Sequence, residues 1–321
     1  MTLLRNARQR LARPARARPQ PPQVGETPAA PELPADLLRR LEFTVVRRLD
    51  GFLFGDYRGL FYGPSLDLAE VREYQPGDEV RRMDWNVTAR MDRLHVRQYR
   101  EERELTAWLL VDLSPSMWFG TRRRLKRDLA LDFAGTAGLI VTRHGDKVGA
   151  ISTGGKRFVA PRTGRAQALN LVSSLAALKP NDEPEPLPES LERLGRTLRR
   201  RSLVFVVSDF LDDNAEPAWA RPLGRLAARH EVIAVRVYDP AERKLPDAGG
   251  LTVRDPESGR EHWVDLSDRR VRLEYERLAA EREAAARRAL RAAGVDVVDL
   301  STADDIVAPL LRFASWRRTR R

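Results

Sequence analysis

Short apolar runs recur along the second two thirds of the chain: Trp108-Leu109-Leu110-Val111, Leu203-Val204-Phe205-Val206-Val207, Val232-Ile233-Ala234-Val235, and Val295 to Leu300. Runs of this length predict strands buried on both faces. Between them the apolar spacing is helical. Arg122–Arg143 places Leu125, Leu129, Phe133, Ala137 and Ile140 on one face. Further helices are predicted from Thr163 to about Leu178, over Leu187–Arg199 and over Ala218–Arg229. A long charged helix is capped by Ser267 and stopped at Gly294, and a last one over Asp304–Trp316 contains Pro309, which predicts a kink. Val148–Ser152 and Arg157–Ala160, joined around Gly154-Gly155, read as an antiparallel pair. Residues 240–266 read as an inserted hairpin turning at 255–259. Upstream, 36–49 has helical spacing with Asp36 as N-cap, and Leu94–Tyr99 alternates as a half-buried strand does.

Strands separated by helices predict an α/β fold: a doubly wound, mostly parallel sheet with helices on both faces. The expected organisation is a Pro/Ala/Arg-rich disordered tail over 1–35, a helical and β extension over 36–104, the α/β domain over 105–316 and a basic tail over 317–321.

The central strand ends in Asp112-Leu113-Ser114-Pro115-Ser116. Alternate positions past a strand end face the same way, so Asp112, Ser114 and Ser116 converge at the carboxyl end of the sheet, where open α/β folds bind ligands. Asp209 ends the run that should pair beside it. A short Asp-x-Ser-x-Ser alone is as readily a turn and helix cap. Joined by Asp209, it reads as a hard oxygen site suited to magnesium or manganese. The glycines from Gly149 to Lys156 miss the spacing of a phosphate-binding loop, with Arg157 where Ser or Thr belongs.

A second informative stretch sets Arg72, Asp78, Arg81, Asp84 and Arg90 beside Tyr74 and Trp85, around the turn Pro76-Gly77-Asp78. This charged network either braces the domain or docks a partner.

Composition narrows the classes. The 321 residues contain no cysteine, which excludes disulfides, a thiol nucleophile and cysteine-ligated metal. No apolar run approaches the roughly 18 residues of a membrane helix, and no apolar core follows the first arginines, so a cytoplasmic protein is expected. The net charge is +11. Nearly all of the basic residues are arginine, the lysines being Lys126, Lys147, Lys156, Lys179 and Lys244. Because the arginines are scattered among acids, the charge is read as compositional rather than as a nucleic-acid footprint. His95, His144, His230 and His262 lack metal-ligand spacing.

With Asp112-x-Ser114-x-Ser116 and Asp209 in place, the chain resembles a von Willebrand factor A-type domain with a metal-ion-dependent adhesion site, over about Leu105 to Trp316. The resemblance implies that Asp112, Ser114 and Ser116 hold the metal, with Asp209 on the far side. It also implies a threonine from a separate loop, for which Thr163 is best placed by chain order and Ser152 or Thr153 are fallbacks. The stretch Arg72-x-Tyr74-x-Pro76-Gly77-Asp78-x-x-Arg81-x-x-Asp84-Trp85-x-x-Thr88-Ala89-Arg90 is similar to the bacterial family catalogued as domain of unknown function 58. That resemblance implies an adaptor or co-chaperone working with a MoxR-type AAA+ ATPase and other von Willebrand factor A proteins, without catalysis of its own. Two other classes remain open: a metal-dependent phosphoester hydrolase using Asp112 and Asp209 beside the acidic Asp212-Asp213, and a nucleic-acid binder using the arginine-rich ends.

Overall fold

The computed structural model describes residues 34–42, 70–75, 83, 85–91, 93–98, 106–153, 156–179, 185–254 and 260–319. Helices and strands run α1 (Pro34–Leu41), β1 (Glu70–Glu73), α2 (Trp85–Met91), β2 (His95–Gln98), β3 (Thr106–Val111), α3 (Lys126–Arg143), β4 (Lys147–Ser152), β5 (Phe158–Arg162), α4 (Arg165–Ala176), α5 (Leu187–Thr197) and β6 (Leu203–Ser208). They continue through α6 (Ala220–Ala227), β7 (Glu231–Tyr238), β8 (Gly250–Arg254), β9 (Glu261–Asp265), α7 (Arg269–Ala292), β10 (Asp296–Ser301) and α8 (Val307–Thr319). Short 3-10 turns follow β3 (Pro115–Trp118) and β7 (Pro240–Glu242).

Six strands form one sheet in the order β10-β7-β6-β3-β4-β5. All neighbours are parallel except β5, which lies antiparallel on β4. The expected doubly wound sheet with one antiparallel edge is therefore present. Successive side chains of β3 go to opposite faces, as the strand period requires. Ala107, Leu109 and Val111 join a core formed with α1, α3, α4 and α8. Trp108 and Leu110 join a second core formed with α5, α6 and α7. Because β3 is covered twice, nothing on it could afford polar alternation until its end.

Helix α1 is part of the first core. Leu37, Leu38 and Leu41 are buried in it, and Arg40 donates to Asp132 of α3 at 2.7 Å. Gly135 of α3 admits this packing: a Cβ there would sit 2.7 Å from the Leu41 Cδ1. The helix begins at Pro34, so Asp36 lies in its first turn rather than at the cap. Pro is well tolerated there, where its missing N–H has no intrahelical partner.

Other boundaries also move, each for a local reason. Helix α3 starts at Lys126, with Leu125 as its N-cap, because Asp128 reaches back to the Leu125 amide at 3.2 Å. Asp268, not Ser267, caps α7 by accepting from the Arg270 amide at 2.8 Å. Gly294 takes a positive φ of 70° just past that helix, as expected of its stop. Helix α8 begins at Val307, so Pro309 falls in the first turn and no kink is required. Strands β8 and β9 form the expected antiparallel hairpin; its turn lies outside the described residues. So do the tail over 1–33 and the Gly154-Gly155 connection.

Candidate metal centre

Strands β3 and β6 are adjacent and in register at the centre of the sheet, so their carboxyl ends coincide. Asp112 follows β3 directly and is 4% exposed. Its Oδ1 accepts from the Ser114 amide at 3.0 Å and from the Thr153 hydroxyl at 2.9 Å. Its Oδ2 accepts from the Ser208 hydroxyl at 2.6 Å. Burial pushes the Asp112 carboxyl up from its ordinary value, the nearby Asp209 carboxylate adds to this, and the Ser208 and Ser114 bonds oppose it.

Ser114 and Ser116 lie at the entry to the 3-10 turn, whose Pro115 presets its first residue. Their hydroxyls are 3.2 Å apart. Ser116 Oγ donates to Asp209 Oδ2 at 2.8 Å, which closes the link between the two strand ends. Asp112, Ser114 and Ser116 are thus brought together with Asp209, which lies 93 residues beyond Ser116 in the chain.

Asp209 owes its aim to a sharp bend. Phe210 takes a φ of +54°, a left-handed conformation that is strained for a bulky side chain. Two short-range bonds hold the bend, from the Phe210 amide to Ser208 Oγ at 3.0 Å and from the Leu211 amide to Asp209 Oδ1 at 3.1 Å. The buried Phe210 ring packs edge-on against Trp219 with centroids 5.1 Å apart.

The threonine at the site is Thr153. It sits just past β4, is 1% exposed, bonds Asp112, and accepts the Leu113 amide at 2.8 Å. Thr163 is exposed in the turn before α4, and among the described residues no hydrogen bond joins it to Asp112. Chain order favoured Thr163, but β4 is the strand beside β3, and its end is where a third loop can reach Asp112. Ser152 points elsewhere: its hydroxyl accepts the Arg157 amide at 3.2 Å.

Two charged residues at the site went unrecognised in the sequence. Lys126, the first residue of α3, is fully buried. Its ammonium donates to Asp209 Oδ2 and to Glu242 Oε1, each at 2.6 Å. Burial works against that ammonium, but the two carboxylates prevail and hold it above its ordinary pKa. Burial likewise works against ionised Asp209, and Lys126 holds its carboxyl below the usual range.

Glu242 is placed by Asp239, which caps the second 3-10 turn. The fully buried Asp239 accepts from the Thr121 amide (2.8 Å) and hydroxyl (2.6 Å), from the Thr302 hydroxyl (2.6 Å) and from the Ala241 amide (2.9 Å). Burial opposes its ionisation, but these donors, Thr121 foremost, hold its carboxyl below the usual range. A carboxylate depressed in the folded state stabilises the fold above its unfolded pKa, and that contribution is lost as pH falls through the folded value. Asp239→Asn is therefore expected to lose about 1–3 kcal/mol at pH 7. The difference from wild type should shrink below about pH 4, as measured by urea unfolding across pH; an equal deficit at pH 3 and pH 7 would contradict this account.

The second charged stretch is seen only in part. Asp78, Arg81 and Asp84 lie outside the described residues, and Arg72 is described by its backbone in β1. The Tyr74 amide donates to the Leu94 carbonyl at 2.8 Å, beside the β1–β2 pairing. Trp85 is 64% exposed and Arg90 is also exposed, both on α2. Among the described residues no hydrogen bond joins Tyr74, Trp85 or Arg90 to Asp112, Ser114, Ser116 or Asp209.

Among the described residues no group of three or more His, Asp or Glu side chains forms a metal cluster. The donors here are mostly hydroxyls: Ser114, Ser116 and Thr153 around Asp112, with Asp209 behind. Such a set could hold a hard divalent cation, and acid counting alone misses it.

This is a doubly wound α/β fold presenting carboxylates and hydroxyls where its two central strands end. The chain belongs to the family described as "Protein of unknown function DUF58", whose sequence model matches residues 70–285. It is 41% identical over 290 residues to the uncharacterized protein Rv1480 of Mycobacterium tuberculosis, covering 88% of this chain and 90% of that protein. It is 35% identical over 164 residues to the uncharacterized protein MAV169 of Mycobacterium avium, covering 50% and 94%. Among solved structures, BatB from Bacteroides thetaiotaomicron matches with a TM-score of 0.40 at 14% identity, covering 67% of this chain and 99% of that one. The SpRpn10 VWA domain matches with a TM-score of 0.35 at 10% identity, covering 65% and 94%. No helix among the described residues is long and apolar enough to cross a membrane.

Proposed function

We propose that this chain is a non-enzymatic, metal-dependent protein-interaction module that acts as an adaptor or co-chaperone to a MoxR-type AAA+ ATPase in the cytoplasm. The observation that supports it most is the convergence of Asp112, Ser114, Ser116 and Thr153, with Asp209 bonded to Ser116. Those residues would hold magnesium or manganese. Bound there, the ion supplies a Lewis-acidic point for an acidic side chain of a partner. Three neutral hydroxyls compensate little of its charge, which suits capture of a carboxylate better than chemistry at a substrate. No histidine or cysteine stands among these residues to act as base or nucleophile. The ATPase partner follows from the family resemblance, and the exposed Trp85 and Arg90 on α2 offer a surface for it.

Melting temperature measured against Mn²⁺ concentration tests the metal site. A ligand that binds only the folded state at 100 times its Kd stabilises by about 2.7 kcal/mol. Wild type is expected to show such a rise and Asp112→Ala to lose it. Mn²⁺ should likewise be required for capture of the MoxR-type ATPase on immobilised protein. Capture that survives both chelator and Asp112→Ala would end the metal-dependent reading.

A further inference from the structure

We infer that Lys126 is a resident cation of this site, one that withholds Asp209 from direct metal coordination and so keeps the ion's affinity low until a partner carboxylate completes it. The inference deepens the metal-dependent reading and rests on it.

The geometry is specific. Asp209 Oδ2 accepts both the Lys126 ammonium at 2.6 Å and the Ser116 hydroxyl at 2.8 Å. Its two lone-pair positions are thereby filled. Oδ1 accepts the Leu211 amide at 3.1 Å, a bond that belongs to the bend after β6. Oδ2, the Asp209 oxygen that faces Ser116, can ligate an ion only by giving up a hydrogen bond in a buried setting, the one from Lys126 being charge-assisted. The ammonium also stands within two hydrogen-bond lengths of Ser116 Oγ, so it repels any cation held there.

The ammonium cannot easily swing aside. Its other partner, Glu242 Oε1, is at 2.6 Å, and Glu242 Oε2 accepts the Asp239 amide at 2.9 Å. Asp239 is anchored in turn by Thr121 and Thr302. Lysine therefore ties the start of α3 to the loops after β6 and β7. In a chain whose cations are overwhelmingly arginine, this buried position keeps a lysine. The compact ammonium, a point charge with three donors, gives one bond to each of the two carboxylates.

The test is Mn²⁺ affinity of the full chain, read from the loss of the free-ion electron paramagnetic resonance signal. Lys126→Met with Glu242→Gln removes one positive and one negative charge together, so the formal charge of the site is unchanged while Asp209 is released. This charge-balanced double variant is expected to bind Mn²⁺ at least about tenfold more tightly than wild type. Adding Asp209→Asn should abolish the gain. Glu242→Gln alone, which leaves the ammonium on Asp209 with less negative charge around it, is expected to bind about threefold more weakly.

If wild type binds Mn²⁺ and Asp112→Ala does not, but the double variant binds no more tightly than wild type, the inference is overturned and the metal-dependent reading stands. Tighter binding by Glu242→Gln alone also overturns the inference, and does so even if the double variant fails to fold. Absence of Mn²⁺ binding by both wild type and the double variant overturns reading and inference together.

Discussion

Lys126→Met is expected to destabilise the fold by about 3–5 kcal/mol at neutral pH, because it leaves Asp209 and Glu242 with buried charge and no counter-ion. The size follows from burial. Lys126 is fully buried, and its two partners sit at 2.6 Å with side chains only 4% and 14% exposed. Adding Glu242→Gln should recover part of the loss, since one of the stranded carboxylates is then neutral. The pH dependence has a defined sign. Lys126 is held above its ordinary pKa, so its contribution is complete below that value and is lost only in strong alkali. Asp209 is held below its ordinary value, so its contribution is present above the usual carboxylate range and lost as pH falls. The deficit of Lys126→Met is therefore greatest near neutrality and narrows in acid, where Asp209 can protonate. Urea unfolding at pH 7 and pH 4 measures both effects; a loss under about 1 kcal/mol at pH 7 would show that the pair does not behave as a buried one.

Phe205→Ala is expected to cost about 3–5 kcal/mol and to lower the melting temperature by roughly 6–20 °C. Phe205 is 1% exposed on β6, between β3 and β7. Its ring meets Phe133 of α3 edge-on, with centroids 5.5 Å apart and an interplanar angle of 69°. Truncation empties a volume that the hydrogen-bonded sheet cannot close on. It also deletes an aromatic pair worth about 0.5–1.5 kcal/mol beyond its area. The loss should appear without any change in Mn²⁺ response, because Phe205 faces a helix layer and not the strand end. A variant that melts normally would imply that α3 can settle onto the sheet and fill the gap.

How far the site was legible depends on which physical rule each residue obeys. The parallel strands announce themselves because burial on both faces removes polar residues from them, as in Leu203–Val207. Asp112, Ser114 and Ser116 follow from strand period, and Asp209 from its place at the end of a neighbouring apolar run. Thr153 was obscured because choosing between it and Thr163 requires knowing which strand end lies beside β3. Lys126 carried a faint signal, a lysine opening a helix in an arginine-rich chain, but helical periodicity assigns the first residue of a helix to no face. Glu242 carried none. It reaches the site through Asp239 and a 3-10 turn, a tertiary arrangement without a local pattern. Pro309 gives no kink because the helix starts at Val307, three residues after Asp304, which leaves the proline in the first turn where its missing N–H has no intrahelical partner.

The two rims of the sheet have a consequence for how anything can associate with it. Strand β5 closes one rim, runs against its neighbour, and contains Pro161, which has no N–H to offer an incoming strand. Strand β10 closes the other, with Asp299 engaged by Arg236 and Arg287 and Asp296 by Arg317. Charge and proline at the margins discourage lateral growth of the sheet. Recognition by β-augmentation along this sheet is thereby disfavoured, so a partner of the proposed kind would have to engage side chains of loops and helices instead of a strand edge.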